Sequence, residues 1–125
     1  MTAFPTADIE AIATSDDLHI SPFREDGTTY GTPTWIWSVV VDGRLFVRAW
    51  NGKQGRWYNA AISQRAGRIT AAGQTYEVSF APAPEELADR IDDAYKVKYA
   101  GSSYLPPMVA QGPRSAGMEI TLREN

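Results

Sequence analysis

The sequence predicts a mainly β fold with flanking helices (α+β), a small antiparallel barrel of about six strands with helices packed outside. Three observations carry that expectation. Alternating apolar residues flank a two-residue Asp42-Gly43 turn, a second pair of alternating segments turns at Gly73, and the segments of strand character succeed one another directly along the chain. The 125 residues are read as a single domain, 1–125, with no repeat, linker or low-complexity stretch.

In chain order, Pro5 to about Ser15 predicts a short helix, with proline at its start and Ile9, Ile12 and Ala13 along one narrow side. Leu18 to Arg24 alternates as a strand, and Pro22 places it at an edge or a bulge. Glu25-Asp26-Gly27 turns the chain into a long extended segment, Thr28 to Val41, interrupted by Gly31 and Pro33. A tight turn at Asp42-Gly43 sets the register of the hairpin around it. Val41 then faces Arg44; Val40–Leu45, Ser38–Val47 and Ile36–Ala49 share one face, and Val39–Phe46, Trp37–Arg48 and Trp35–Trp50 the other.

Asn51 to Arg56 reads as a loop entering a helix through Trp57, Tyr58, Ala61 and Ile62 that ends near Arg65, with Gly67 as its C-cap. Arg68–Ala72 and Gln74–Ala81 form the second hairpin, with Tyr76, Val78 and Phe80 on one face. Pro84-Glu85-Glu86 opens a helix that carries Leu87, Ile91, Ala94 and Tyr95 on one side and stops near Gly101. Glu85, Glu86, Asp89, Asp92 and Asp93 are expected on its solvated face, and Tyr95 and Tyr99, four apart, in packing. Ser102 to Ala116 is rich in proline and glycine and expected to be irregular apart from a turn of helix at Met108–Gln111; Met118 to Leu122 alternates as a closing strand.

Composition removes several chemistries. With no cysteine and one histidine there is no disulfide, no thiol nucleophile and no Cys/His zinc site, and His19 is an edge residue by default. The net charge of −3 speaks against wholesale nucleic-acid binding. The longest apolar run, Val39–Val41, is far too short for a membrane span, and the amino terminus lacks the pattern of a signal peptide. Absence of cysteine fits a cytoplasmic location.

The functional signal lies in Pro33–Arg65. One hairpin face holds Trp35, Trp37, Trp50, Phe46 and Arg48, a combination suited to a flat ligand or a partner subunit rather than to a barrel interior. The loop after the hairpin brings free N–H groups and the positive end of a helix dipole together with Lys53 and Arg56, an anion site. From Gly43 to Tyr76 there are six basic residues and no acidic one, although the chain as a whole is acidic. A phosphate-bearing aromatic molecule satisfies both halves. The competing reading is packing across the hairpin and a solvated basic surface, with Arg48 as a cation–π partner of Trp37 or Trp35. Gly52-Lys53-Gln54-Gly55 is not a P-loop.

Five features occur in a fixed order: T-P-x-W at Thr32–Trp35, the D-G hairpin, a helix start running from Asn51-Gly52 to Trp57-Tyr58-Asn59, G-Q-x-Y-x-V at Gly73–Val78, and Asp93-Ala94-Tyr95 with Tyr99. That succession resembles the split-barrel flavin-binding superfamily, and within it the deazaflavin-dependent nitroreductase-like proteins. More closely it resembles the bacterial family called domain of unknown function 2255, from Asp17 to Leu122. The resemblance implies an FMN-binding split-barrel-like fold of six antiparallel strands. It further implies a homodimer with FMN or an 8-hydroxy-5-deazaflavin coenzyme at the interface. Thr32, Pro33, Thr34 and Trp35 would then meet the ring, Trp50, Asn51, Gly52, Lys53 and Gln54 the phosphate or ring edge, Trp57 and Tyr58 the start of the adjoining helix, and Tyr95, Tyr99 and Tyr104 the substrate side. Glu25, Asp26, Thr28 and Thr29 stand where those proteins usually carry basic residues, which leaves the phosphate to Arg48, Lys53 and Arg56. On that reading the protein is a flavin- or deazaflavin-dependent reductase needing no side-chain acid or base. The alternatives are a non-catalytic binding or carrier protein of the same fold, and a ligand-free module that dimerises through the tryptophan face.

Overall fold

Seven strands make one antiparallel sheet in the computed structural model, which describes residues 3–123. They are β1 (His19–Pro22), β2 (Thr34–Trp35), β3 (Ser38–Val41), β4 (Arg44–Arg48), β5 (Ala66–Ala71), β6 (Gln74–Pro82) and β7 (Gly117–Leu122), ordered β2-β1-β5-β6-β7-β4-β3. The helices are α1 (Thr6–Ala13), α2 (Arg56–Gln64), α3 (Ala88–Lys98), α4 (Leu105–Met108) and α5 (Gln111–Ser115), with single 3-10 turns at Gly52–Gln54 and Glu85–Leu87. Strands β2 and β3 are the two edges, yet only Ile36 and Trp37 separate them. Three Cα steps span at most about 11 Å, so the sheet must curl until its edges nearly meet. The result is a half-barrel with a gap at the β2–β3 crossing.

Seven strands replace the expected six because the extended segment Thr28–Val41 does not stay with one neighbour. Gly31 donates its N–H to the Pro22 carbonyl at 2.8 Å, and a Cβ at Gly31 would stand 2.9 Å from that oxygen. Such a close approach folds the segment back onto the first strand: Phe23 bridges Tyr30, and β2 pairs with β1 through His19↔Trp35 and Ile20↔Thr34. The chain then crosses to the far edge as β3.

The hairpin register from Val41↔Arg44 to Ser38↔Val47 is as the turn predicts, with Asp42 and Gly43 at φ 53° and 73°. Beyond Ser38 the ladder stops. Trp35 pairs with His19 instead of Trp50, and Trp50 lies in the turn after β4. Gly67 is not a C-cap: Arg65 takes that left-handed position at φ 60°, and Gly67 sits in β5, where a Cβ would come within 2.5 Å of the Ser21 carbonyl. The segment from Ser102 contains two short helices, α4 and α5, rather than one turn.

Two cores result. The concave face of the sheet buries Ile20, Leu45, Val47, Ile69, Val78, Phe80, Met118 and Ile120, closed by Ile9 and Ile12 of α1 and by Tyr58 and Ala61 of α2. The opposite face of β3–β4, on sequence grounds too large and too charged for the inside of a small barrel, forms a second core outside it: Val39, Val41 and Phe46 lie under Ile91 and Tyr95 of α3 and Met108 of α4. The helix supplies the apolar area and the counter-charge that the sheet lacks, which is why this face is buried.

Candidate functional site

Where β2 and β3 part, a cavity of about 1010 Å³ opens. Its walls come from four places. Thr34, Trp35, Ile36 and Trp37 form the strand crossing, Arg48, Trp50 and Asn51 the end of β4, Gln54, Gly55, Arg56 and Trp57 the entry to α2, and Ser102, Tyr104 and Met108 the segment leading into α4. Nine predicted site residues are therefore brought together: Thr34, Trp35, Arg48, Trp50, Asn51, Gln54, Arg56, Trp57 and Tyr104.

The indoles are held in different ways. Trp35 is half exposed at 53%, fixed by the β1 pairing and by its Nε1–H, which donates to the Asp16 carbonyl. Trp50 is 48% exposed and meets the Tyr104 ring edge-on at 5.8 Å. Trp37 stacks on Tyr99 with centroids 3.9 Å apart and planes 3° from parallel, so the ring pair forms a rigid inner wall.

At the far end Gly55 is the N-cap of α2 and no side chain caps that helix, so its first-turn N–H groups lack a side-chain acceptor. Arg56, the first residue of α2, is exposed at the same place. The preceding turn is shaped by Asn59, whose Nδ2 donates to the carbonyls of Lys53 at 3.0 Å and Gly55 at 2.9 Å.

Arg48 is the most deeply placed of these side chains, 2% exposed. Nη1 donates to Asp92 and to the Met108 carbonyl at 3.3 Å, and Nη2 donates to the Ala88 carbonyl at 3.0 Å. Its guanidinium lies 5.4 Å from the centre of the Tyr95 ring, so the cation–π partner is Tyr95 and not Trp35 or Trp37. Asp92 also accepts from Arg114, which reaches Asp89 at 2.8 Å. Asp92 is thus drawn off the solvated face expected of α3, because a buried guanidinium needs a nearby carboxylate.

The other predicted residues lie elsewhere. Lys53 and Tyr58 border a second cavity of about 690 Å³, between the Gly52–Gln54 turn, α3 and α5, which Arg48 and Arg114 also border. Gly52 is buried against Gly112 of α5. Thr32 and Pro33 are exposed and outside the large cavity, with the Thr32 hydroxyl 3.3 Å from the guanidinium of Arg24, a basic residue absent from the predicted set. Tyr95 is fully buried in the second core, and burial raises its phenol pKa. Tyr99 backs the wall behind Trp37; its hydroxyl accepts from the Ser38 N–H at 3.1 Å, and burial pushes its pKa up to about 12. Both phenols are therefore protonated structural groups at neutral pH.

Ile36, Trp37, Gly55, Ser102 and Met108 line the cavity without being among the predicted site residues. Trp37 and Ile36 carry a signal, their place at the end of the hairpin; Ser102 and Met108, in an aperiodic segment, carry none. His19 is not at an edge: it lies in β1 between Trp35 of β2 and Thr70 of β5, partly buried, with Nδ1 2.9 Å from the Asp17 carbonyl. Among the described residues no cluster of three His, Cys, Asp or Glu could hold a metal ion, and no helix is long and apolar enough to cross a membrane.

Residues 8–120 match the model of the family described as "Uncharacterized protein conserved in bacteria (DUF2255)". The chain belongs to this family, domain of unknown function 2255. No curated protein matches it.

Proposed function

We propose that this member of the domain of unknown function 2255 family is a flavin- or deazaflavin-dependent oxidoreductase of nitroreductase-like type, built on an FMN-binding split-barrel-like fold and working as a cytoplasmic homodimer. The observation that carries the reading is the large cavity at the β2–β3 gap, walled by Trp35, Trp37 and Trp50 and ending at the uncapped start of α2 beside Arg56. A flat ring fits the indole walls by stacking, and a phosphate fits the helix start through N–H groups, dipole and guanidinium together.

Trp35, Trp50 and Tyr104 leave large apolar surfaces exposed around the cavity mouth, which supports a second copy closing over it. When bound, a flavin or deazaflavin supplies the hydride-transfer chemistry. The chain's own residues bind and orient: Trp37 backs the ring, Trp35 and Trp50 flank it, and Arg56 with the α2 N–H groups holds the phosphate. The scarcity of side-chain acids and bases along the cavity agrees with that division of labour.

The test is a titration of the purified protein with FMN and with the 8-hydroxy-5-deazaflavin coenzyme, followed by visible absorbance. A spectral shift with saturable binding is expected, and Arg56→Ala should weaken it about tenfold. No shift with either molecule sinks the reading. Sedimentation of the protein as a monomer sinks the shared site.

A second reading rests on the acidic turn ahead of β2. Asp26 accepts the N–H groups of Thr28 at 2.9 Å and Thr29 at 2.8 Å, so the position where a basic phosphate contact is expected is committed to turn structure. A carrier that binds the cofactor without turnover fits that feature. Saturable binding with no oxidation of the reduced cofactor by nitro, quinone or enone acceptors favours it.

A further inference from the structure

The second cavity, of about 690 Å³, takes no part in the proposed cofactor site, although it falls within the range of small-molecule pockets, about 300–1,000 Å³. It is bounded by segments far apart in the chain. Gly52, at φ 63°, lies so close to α5 that a Cβ on it would stand 3.3 Å from the Gly112 carbonyl oxygen. That contact sets the Gly52–Gln54 turn and its Lys53 beside α5, and Glu85, on the turn ahead of α3, borders the same space.

Tyr58 points to a ligand there. It is 8% exposed, with its ring in the concave core. Its hydroxyl has no hydrogen-bond partner among the described residues, yet it is not one of the sealed-off unpaired polar atoms, which are Ser38 Oγ, Arg48 Nε and Thr121 Oγ1. The small accessible part of Tyr58 therefore includes its hydroxyl, and of the two cavities Tyr58 borders only this one. A phenol hydroxyl both donates and accepts a hydrogen bond.

The charges select the ligand. Arg48 and Arg114 border the cavity but are already paired, both with Asp92 and Arg114 also with Asp89. Two bordering charges have no ion-pair partner among the described residues, the Lys53 ammonium and the Glu85 carboxylate. An anion taken at Lys53 shares its cavity with Glu85, and a cation taken at Glu85 shares it with Lys53, so a ligand carrying both charges is favoured over either alone. Between them Pro82, Ala83, Ala88 and Ile91 provide a small aliphatic wall.

We infer that the second cavity is a binding site for a small zwitterion, an α-amino acid with an aliphatic side chain. Lys53 and the Tyr58 hydroxyl hold its carboxylate, Glu85 holds its ammonium, and the aliphatic wall takes its side chain. The site goes beyond the cofactor reading and does not depend on it.

The test is a calorimetric titration with L-leucine and with two counterparts of the same skeleton, 4-methylpentanoate, which lacks the ammonium, and 3-methylbutylamine, which lacks the carboxylate. Saturable binding of leucine is expected, with each counterpart bound about tenfold more weakly. Tyr58→Phe, which keeps the ring in the core, and Glu85→Gln, on an exposed turn, should each raise the leucine dissociation constant about tenfold. No saturation with leucine, a counterpart bound as tightly as leucine, or leucine binding untouched by either variant overturns the inference. Should Tyr58→Phe fail to fold, Glu85→Gln and the counterparts on the wild-type protein decide by the same outcomes. Glu85→Gln should leave FMN binding unchanged, and a wild-type protein that binds leucine but not FMN loses the cofactor site alone.

Discussion

The β3–β4 and β5–β6 hairpins share one turn geometry and differ in nearly everything else. Asp42-Gly43 and Ala72-Gly73 both hold two consecutive residues at positive φ, 53° and 73° in one, 51° and 77° in the other. The β5–β6 ladder runs six pairs, Ala66↔Ser79 to Ala71↔Gln74, inside the sheet. The β3–β4 ladder stops after four, at Ser38↔Val47, with β3 on the sheet edge. The β5–β6 hairpin is scaffold; the β3–β4 hairpin opens at its far end, and the cavity lies in that opening.

They are tied down differently as a result. Glu77 on β6 accepts from Arg68 on the paired strand, from Tyr30 and from Arg123, so the β5–β6 hairpin is bound to neighbours in its own layer. The β3–β4 hairpin is bound across layers to α3, by Arg48 to Asp92 and by Asp42 to Arg90, with Arg44 reaching Glu119 on β7. A hairpin with an incomplete ladder draws its order from the helix that covers it.

The largest effect that would sharpen this contrast comes from Asp92→Ala. It strands the Arg48 guanidinium and should cost about 3–5 kcal/mol in urea unfolding; a loss below about 1 kcal/mol would mean that the cross-layer tie does not hold the hairpin.

Glu77→Gln is next and depends on pH. Burial pushes the Glu77 pKa up, but hydrogen bonds from Tyr30 and Arg68 and the charges of Arg68 and Arg123 outweigh it and hold the carboxyl below its ordinary value of 4.5. A lowered folded pKa contributes stability that is complete above the unfolded value and is lost as pH falls through the folded one. The variant should therefore be less stable than wild type at about pH 7, with the gap closing below about pH 4.5. A gap that stays constant through acid would show that Glu77 acts by packing.

Smaller and of opposite sign is Ala72→Asn. Alanine in the left-handed region costs about 1 kcal/mol, and asparagine tolerates that region better, so a small rise in melting temperature is expected and a fall would place the strain elsewhere. Smallest is Asp42→Ala, whose exposed pair with Arg90 is screened by water. A slight destabilisation that disappears in high salt is the expected result, and a large one would give this surface tie a weight that exposed pairs rarely carry.

The candidate site is legible in part, residue by residue. Trp35, Trp50, Asn51, Gln54, Arg56 and Trp57 can be placed together because a turn of known length and a helix start lie close along the chain. Lys53 cannot be assigned that way, since the 3-10 turn at Gly52–Gln54 turns it to the second cavity although it stands close to Arg56 in the chain. Arg48 is visible as a charge on an aromatic face, but its commitment to Asp92 requires α3 to lie over that face, and no local pattern states which surface a helix will cover.

By itself the sequence determined the primed turn at Asp42-Gly43, the four-pair register around it, and the antiparallel class, because these depend on backbone geometry within a few residues. Tertiary structure alone decided that the Thr28–Val41 segment divides between opposite edges of the sheet, that the tryptophan-rich face becomes a second core, and that a cavity remains where the edges fail to meet. Those outcomes depend on long-range packing: the close approach of Gly31 to Pro22 and the fit of α3 over Phe46 and Arg48, contacts that no short stretch of sequence specifies.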